Sequence, residues 1–517
     1  MRKYTEIFIN NKLRIYLSFS FVFVSFYLFL NSLNKLDDNT ILFSIFFLLS
    51  TVNVLNVICL KSSLFEKFLN FYMWLGYFFF YSVHIIYFNE TYNFPTGEFD
   101  FNSSNQRKEL YYVLIVFNIA ILFTNIISNR SINYTYVKTK LRFNTFFKNN
   151  INIFLILMLS LIIFISFSNI YLKYFDYYYF FKSKNPFIID AFLKWFFLFG
   201  FSSIMCVFLN LDETKRIIIK LFIISSIQEY LFFFSILSRG CIFNSLAILI
   251  ALFLKSNSLK EKFSYKTFFS LFLLIFVLFI FNFYTLIDLR GGDNHEYFKK
   301  YRSNSKFNSL INNFSANKPL QDKLPNLRGL KFVKIKNENI NSNNGKKKVF
   351  FQDFEAKMTR IFFSVKNRVF GIDSLMVVVG HKDKNLNFFS NNFKEKFQPG
   401  KLSYFDKLRF KENLNQNSIN LTVPGFLAFT YYSGSLLLVF ILTVLVIFIC
   451  NVIEKINVKL NNNIIFSALI SQILAYRIWH FGYAPLNSYK IYFAIIGTIL
   501  FIYIFQKVLI NLKILIK

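Results

Sequence analysis

Arg239 lies in Ser238-Arg239-Gly240, with an apolar run at 217–237 before it and another at 241–254 after it. It has almost no loop to occupy. An arginine near the hydrocarbon core costs roughly 3 kcal/mol on insertion scales, so one held there generally has a task. Arginine is also the less used cation of this chain: 14 of the 59 basic residues are Arg and the others Lys. Its guanidinium is a planar fork that grips phosphate or carboxylate through two parallel hydrogen bonds. Arg290 closes the apolar run at 267–287, Arg360 and Arg368 flank an amphipathic stretch, and Arg477 lies one helical turn from His480. Guanidiniums gathered at one membrane face repel one another unless an anion sits among them. A lipid-anchored pyrophosphate, which can be gripped bidentately at both phosphates, fits that demand.

What must position these residues is a set of membrane helices. The chain of 517 residues is 55% hydrophobic and 21% aromatic, with a mean hydropathy of +0.43, which excludes an ordinary soluble domain. Runs of about 18 or more apolar residues read as spanning helices. About twelve are expected (eleven to thirteen), near 13–30, 40–60, 68–88, 110–128, 151–172, 186–210, 217–237, 241–256, 267–287, 424–450, 464–481 and 489–508. The fold class is therefore an all-α integral membrane protein. Arg2, Lys3, Lys12 and Arg14 precede a first span with no small-residue cleavage site, so that span is expected to stay in the membrane. The short loops of one side hold 23 basic residues and those of the other 8, which assigns both termini to the cytoplasm.

Three regions follow: 1–287 with about nine spans, a large external loop at 288–422, and 423–517 with about three spans. The loop carries 26 Lys or Arg against 12 Asp or Glu, a balance that insertion does not dictate in a long loop. It reads either as lysine-rich codon usage or as an electropositive vestibule for an anionic substrate. Within 352–370, Phe354, Met358, Ile361, Phe362, Val365 and Val369 form one apolar helical face, with Lys357, Arg360, Ser364 and Arg368 on its flank. Such a helix can lie on the membrane with its basic edge toward a lipid-linked anion, or cover the loop's own core. Gly371 ends it.

Some spans carry charge. Asp190 and Lys194 can pair one turn apart. Glu229 shares a helical face with Ser225 and Gln228, a stripe expected to look into a cavity rather than at lipid. Tyr476 and Trp479 allow the segment around Arg477 and His480 to be an ordinary interfacial belt. The four cysteines have no paired spacing and the four histidines no metal-ligand spacing, so neither a metal nor another cofactor is indicated. A single Arg-Gly-Gly at 290–292 carries no nucleic-acid signal.

In layout and in short motifs the chain resembles the Wzy-like oligosaccharide repeat-unit polymerases of O-antigen and capsule. The likeness rests on the many spans, on Ser238-Arg239-Gly240 opening a span, and on one long external loop in the C-terminal half. The segment Arg368-Val369-Phe370-Gly371-Ile372-Asp373-Ser374-Leu375 and a tenth span entered through Pro424-Gly425, with Gly434 within it, add to it. The resemblance implies a C-type, metal-independent glycosyltransferase architecture in the bacterial inner membrane. It implies undecaprenyl-diphosphate-linked oligosaccharides as substrates, with a chain-length regulator as an open further partner. The growing chain would pass from its lipid pyrophosphate to the non-reducing end of a new repeat unit. Arg239, Arg290, Arg360, Arg368 and Arg477 would then hold the pyrophosphate, which needs cations and no general acid. Asp373, Glu229 and His381 are the candidates for a base at the acceptor hydroxyl, and the sequence does not choose among them. Asp373 can equally be a loop carboxylate paired with Lys382 or Lys384.

Two other readings compete. A transporter or flippase of lipid-linked oligosaccharides would use Glu229, Asp190, Lys194 and His480 as a proton relay. Such folds often show two related halves; no internal repeat is evident here, and the long loop lies between spans nine and ten, not at the midpoint. The lipid-A-core ligases share the implied architecture, but their histidine-containing external signature is not evident.

Overall fold

The computed structural model describes residues 11–33, 36, 39–59, 62–88, 96–131, 141–172, 187–236, 238, 240–257, 264–291, 371–395, 403–410, 423–481 and 488–516, excluding the side chains of some helix-end residues. In lipid no water is present to satisfy backbone N–H and C=O groups, so the apolar runs close their hydrogen bonds internally as helices. In chain order these are α1 (Asn11–Leu33), α2 (Thr40–Cys59), α3 (Leu64–Met73), α4 (Phe80–Phe88), α5 (Ser104–Ser131), α6 (Thr145–Asn149) and α7 (Ile151–Leu172). Then come α8 (Phe187–Trp195), α9 (Phe201–Leu209), α10 (Lys215–Ser235), α11 (Cys241–Asn257) and α12 (Tyr265–Gly291). After residue 370 follow α13 (Ile372–Gly380), α14 (Leu386–Phe393), α15 (Tyr404–Phe410), α16 (Gly425–Thr430), α17 (Leu436–Asn461), α18 (Ile464–Trp479) and α19 (Ser488–Asn511). π-Helical turns at Trp74–Phe79 and Phe196–Gly200 join α3 to α4 and α8 to α9.

Nine helices among the described residues are long and apolar enough to cross a membrane, and 242–255 and 464–479 form shorter apolar helices. The protein is an all-α membrane protein. Its lipid-facing surface is legible on α7, where Ile156, Leu157, Phe164 and Phe167 are all more than 60% exposed. The opposite case is α18. From Ile464 to Ala475 every residue is buried, against α3, α11, α9 and α17. A helix ringed by protein needs no apolar lipid face, which is why it tolerates Ser467, Ser471 and Gln472. The interfacial-belt expectation for this segment is corrected accordingly: Trp479 is buried, with its ring 5.2 Å from that of Tyr77.

One end of the bundle gathers the loops that the charge bias puts in the cytoplasm. β1 (Arg142–Phe143) pairs antiparallel with β2 (Leu515–Ile516), Asp212 N–H donates to Leu141 O at 2.8 Å, and Lys255 Nζ donates to Leu209 O and Leu211 O. This end is called inner below and the other outer, following that bias.

Two span boundaries differ from expectation. The tenth span does not begin at Pro424. α16 and a 3-10 turn, Tyr431–Ser433, come first, and Gly434 stops them in a left-handed conformation (φ 67°) with Lys384 packed against it. α17 then starts at Leu436, its N-cap Ser435 accepting from Leu438 N–H at 3.3 Å. Nor is 451–463 a loop: α17 runs to Asn461, and only Asn462 and Asn463 link it to α18. The chain divides into one compact unit of Met1–Ile280 with Lys366–Lys517 and another of Phe281–Val365. Helices α13 to α15, assigned from sequence to the external loop, thus pack with the membrane helices.

Candidate functional site at the outer helix ends

The described residues on either side of Arg239 leave a short connection between α10 and α11. α10 ends at Ser235, Ser238 N–H donates to Phe233 O at 2.7 Å, Gly240 lies against the Phe233 ring, and α11 begins at Cys241. Arg239 itself, Arg360 and Arg368 lie outside the described residues, as does the side chain of Arg290 in α12. The amphipathic helix expected at 352–370 and the side chain of Asp190 fall outside them too. Of the expected pyrophosphate clamp, the structure places Arg477.

Arg477 sits in the last turn of α18, half-buried, and its Nε is buried without a hydrogen-bond partner among the described residues. It is close enough to act electrostatically on the hydroxyl of Tyr492 in α19. Tyr492 in turn lines a cavity of about 240 Å³ whose walls are almost wholly apolar. Phe389 and Phe393 of α14 and Phe426 and Phe429 of α16 roof it, and the wall runs down α17 from Leu442 to Cys450. The eight steps from Leu442 to Cys450 correspond to about 12 Å of helix. An apolar chain can lie there with an anionic head toward Arg477. His480, one helical turn further on, packs its ring tilted against that of Tyr476 with centroids 4.3 Å apart.

α13 carries one of the base candidates and places a second just after its end. Each of its residues is buried, and Gly371, its N-cap, packs between Tyr77 and Trp479. Asp373 lies in the first turn and is 3% exposed. A carboxylate there complements the exposed N–H groups and dipole of the helix start. It is a helical residue, not a loop carboxylate, and Lys384 has another partner. His381 follows the C-terminus of the same helix. Its ring lies 4.9 Å from that of Phe388 and its Nε2 is buried without a partner among the described residues. Burial pulls the imidazole below its ordinary pKa of 6.5, aided by the Lys384 charge and opposed by Asp383 and Glu98. The shift favours the neutral ring, the form in which a base accepts a proton.

Beside His381 is an arrangement that sequence reasoning missed. Glu109, at the outer end of α5, accepts through Oε1 from Lys384 Nζ at 2.8 Å and from the Tyr431 hydroxyl at 2.5 Å. Lys384 Nζ also donates to Val379 O at 2.7 Å and sits 5.5 Å from the Tyr431 ring centroid. Burial and the Glu109 carboxylate both hold the Tyr431 phenol protonated. The Glu109 side chain is 34% exposed and that of Lys384 12%. No local sequence signal could have found this group, because only the tertiary fold joins α5 to the α13–α14 link and the 3-10 turn.

Glu229 belongs elsewhere. It is fully buried in α10, accepts from the Ser202 hydroxyl of α9, and takes Asn244 Nδ2 of α11 on both oxygens at 3.2 Å. Asn244 Nδ2 also reaches Leu198 O, in the π-helical turn, at 3.0 Å. Glu229 thus looks into the contact with two neighbouring helices and not at lipid. Two further acids at the inner end also escaped sequence reasoning. Glu454 accepts from Leu64 and Phe65 N–H at 2.9 and 2.8 Å, capping α3. Glu66 closes a capping box with Ser63 and takes Asn451 Nδ2 at 2.8 Å. The Ser-x-x-Glu spacing of that box was legible; its partners on α17 were not. Comparison of the chain with protein-family models, with curated proteins and with solved structures gave no match.

Proposed function

We propose that this protein polymerises lipid-linked oligosaccharide repeat units at the outer face of a bacterial cytoplasmic membrane. The observation that carries the reading is Arg477, a guanidinium with a buried, unpartnered Nε beside an apolar cavity long enough for part of a lipid chain. Its chemistry suits an undecaprenyl-diphosphate-linked sugar: isoprenoid along α17, pyrophosphate at the arginine. The acceptor hydroxyl attacks the anomeric carbon of the growing chain, and the carbon–oxygen bond to the pyrophosphate breaks. Its electron pair stays on the leaving pyrophosphate, where arginines disperse the charge. The hydroxyl proton goes to a base, and His381, neutral and with Nε2 unpartnered, is the best suited of the three candidates. Arg239, Arg290, Arg360 and Arg368 remain the expected companions of Arg477.

The test is the surface glycan of the native strain carrying Arg477→Ala or Arg477→Lys, with protein level measured in the membrane. The alanine variant is expected to leave mostly single repeat units, and the lysine variant, which keeps charge but not the fork, an intermediate ladder. A full-length ladder at normal protein level would overturn the assignment. Lipid-linked units stranded on the inner leaflet would instead favour the flippase reading.

A further inference from the structure

We infer that Glu109 and His381 form the subsite that holds the sugar hydroxyls of the acceptor, an inference that rests on the polymerase reading and locates its second substrate. Saccharides are bound by acceptors and donors fixed in place before the sugar arrives, because each disordered side chain would have to be ordered on binding. Glu109 meets this condition. Two donors from two other elements, Lys384 Nζ and the Tyr431 hydroxyl, fix its Oε1. Oε2 has no bond among the described residues, and the side chain is 34% exposed. An ionised carboxylate has no proton to give and each oxygen has two lone pairs, so the free oxygen is an acceptor for vicinal hydroxyls.

The neighbours have matching chemistry. Lys384 ties the carboxylate to the α13–α14 link that starts at His381, and His381 feels the charges of Lys384 and Glu98. Its unpartnered Nε2 needs the hydroxyl that Glu109 does not take. Phe388, against which His381 rests, continues into a ring of Tyr404 that is 43% exposed, an aromatic face of the kind sugars stack on. Gly434 completes the assembly: with a positive φ and Lys384 Cβ 3.2 Å from where its own Cβ would stand, it lets the 3-10 turn bring Tyr431 onto Glu109. Glu109 positions the acceptor and His381 takes its proton.

The experiment uses full-length protein in nanodiscs. The probe is the free oligosaccharide released by mild acid from the strain's own lipid-linked units, and binding is read by calorimetry. Wild type is expected to bind it. Glu109→Gln is expected to bind about tenfold more weakly or worse through loss of a charge-assisted bond, with the folded fraction, measured beside it, used to correct for the lost ion pair with Lys384. Glu109→Asp should recover part of the loss, and Tyr431→Phe, which frees the carboxylate, should fall between. In elongation assays Glu109→Gln should raise the acceptor KM and leave the donor KM alone. Equal binding by wild type and Glu109→Gln, or no binding by wild type, would overturn the inference. The Arg477 ladder test decides the polymerase reading separately, because it does not involve the acceptor subsite.

Discussion

Glu229 separates two roles that sequence alone leaves superposed, that of base and that of interhelical tie, and its contacts allow the difference to be worked out. In Glu229→Ala the Ser202 hydroxyl and one Asn244 N–H lose their acceptor inside the membrane. An orphaned buried donor costs about 1–3 kcal/mol. Asn244 retains Leu198 O at 3.0 Å, so its share lies at the low end. The cavity left by the side chain adds to this, for a total of about 2–5 kcal/mol. Glu229→Gln keeps one carbonyl oxygen for a donor and brings an amide that the Ser202 oxygen can accept from, for a cost of about 1 kcal/mol. Thermal unfolding of the purified variants, read beside the surface-glycan ladder, distinguishes the roles. A tie predicts that alanine lowers the melting temperature by several degrees and depletes the protein, while glutamine keeps both fold and ladder. A general base typically contributes about 10²–10⁴-fold in rate. A Glu229→Gln protein that melts like wild type yet makes no polymer would therefore refute the tie and restore Glu229 as the base.

The outer cap offers two more tests. A Cβ on Gly380 would stand 2.3 Å from Phe99 N, a backbone atom that cannot step aside, so Gly380→Ala is expected to cost about 1–3 kcal/mol and to expose the α13–α14 region to trypsin sooner than in wild type. Unchanged proteolysis would mean that this approach is not tight in solution. His381 has a lowered folded pKa, so between that pKa and its ordinary 6.5 the unfolded chain binds the extra proton. The stability tied to the neutral ring is complete above pH 6.5 and is lost as the pH falls toward the folded value. His381→Gln should flatten that dependence in acid-melting curves, and under the proposed polymerase function glycan elongation by wild type should decline over the same acidic range.

The spanning helices were legible because hydropathy measures what insertion selects, transfer out of water, one segment at a time. The same measure fails where an apolar segment leaves water by entering protein rather than lipid. The run from Pro424 to Ser433 is apolar enough to extend the tenth span, yet α16 and its 3-10 turn are buried under α14 and α13, and the break is set by Gly434 and the Ser435 cap. α18 is the reverse case, a segment polar enough to look interfacial that is in fact ringed by helices. Arginine type singled out Arg477 as a candidate, since few residues put a fork at a helix end. Nothing local singled out Glu109, whose partner Tyr431 is 322 positions away. Ser467, Ser471 and Gln472 recur on α18, and each would face hydrocarbon at a cost if the helix lay at the rim. On α18 they lie among neighbouring helices, and the outer end of such an enclosed helix, where Arg477 stands, can hold charge out of lipid.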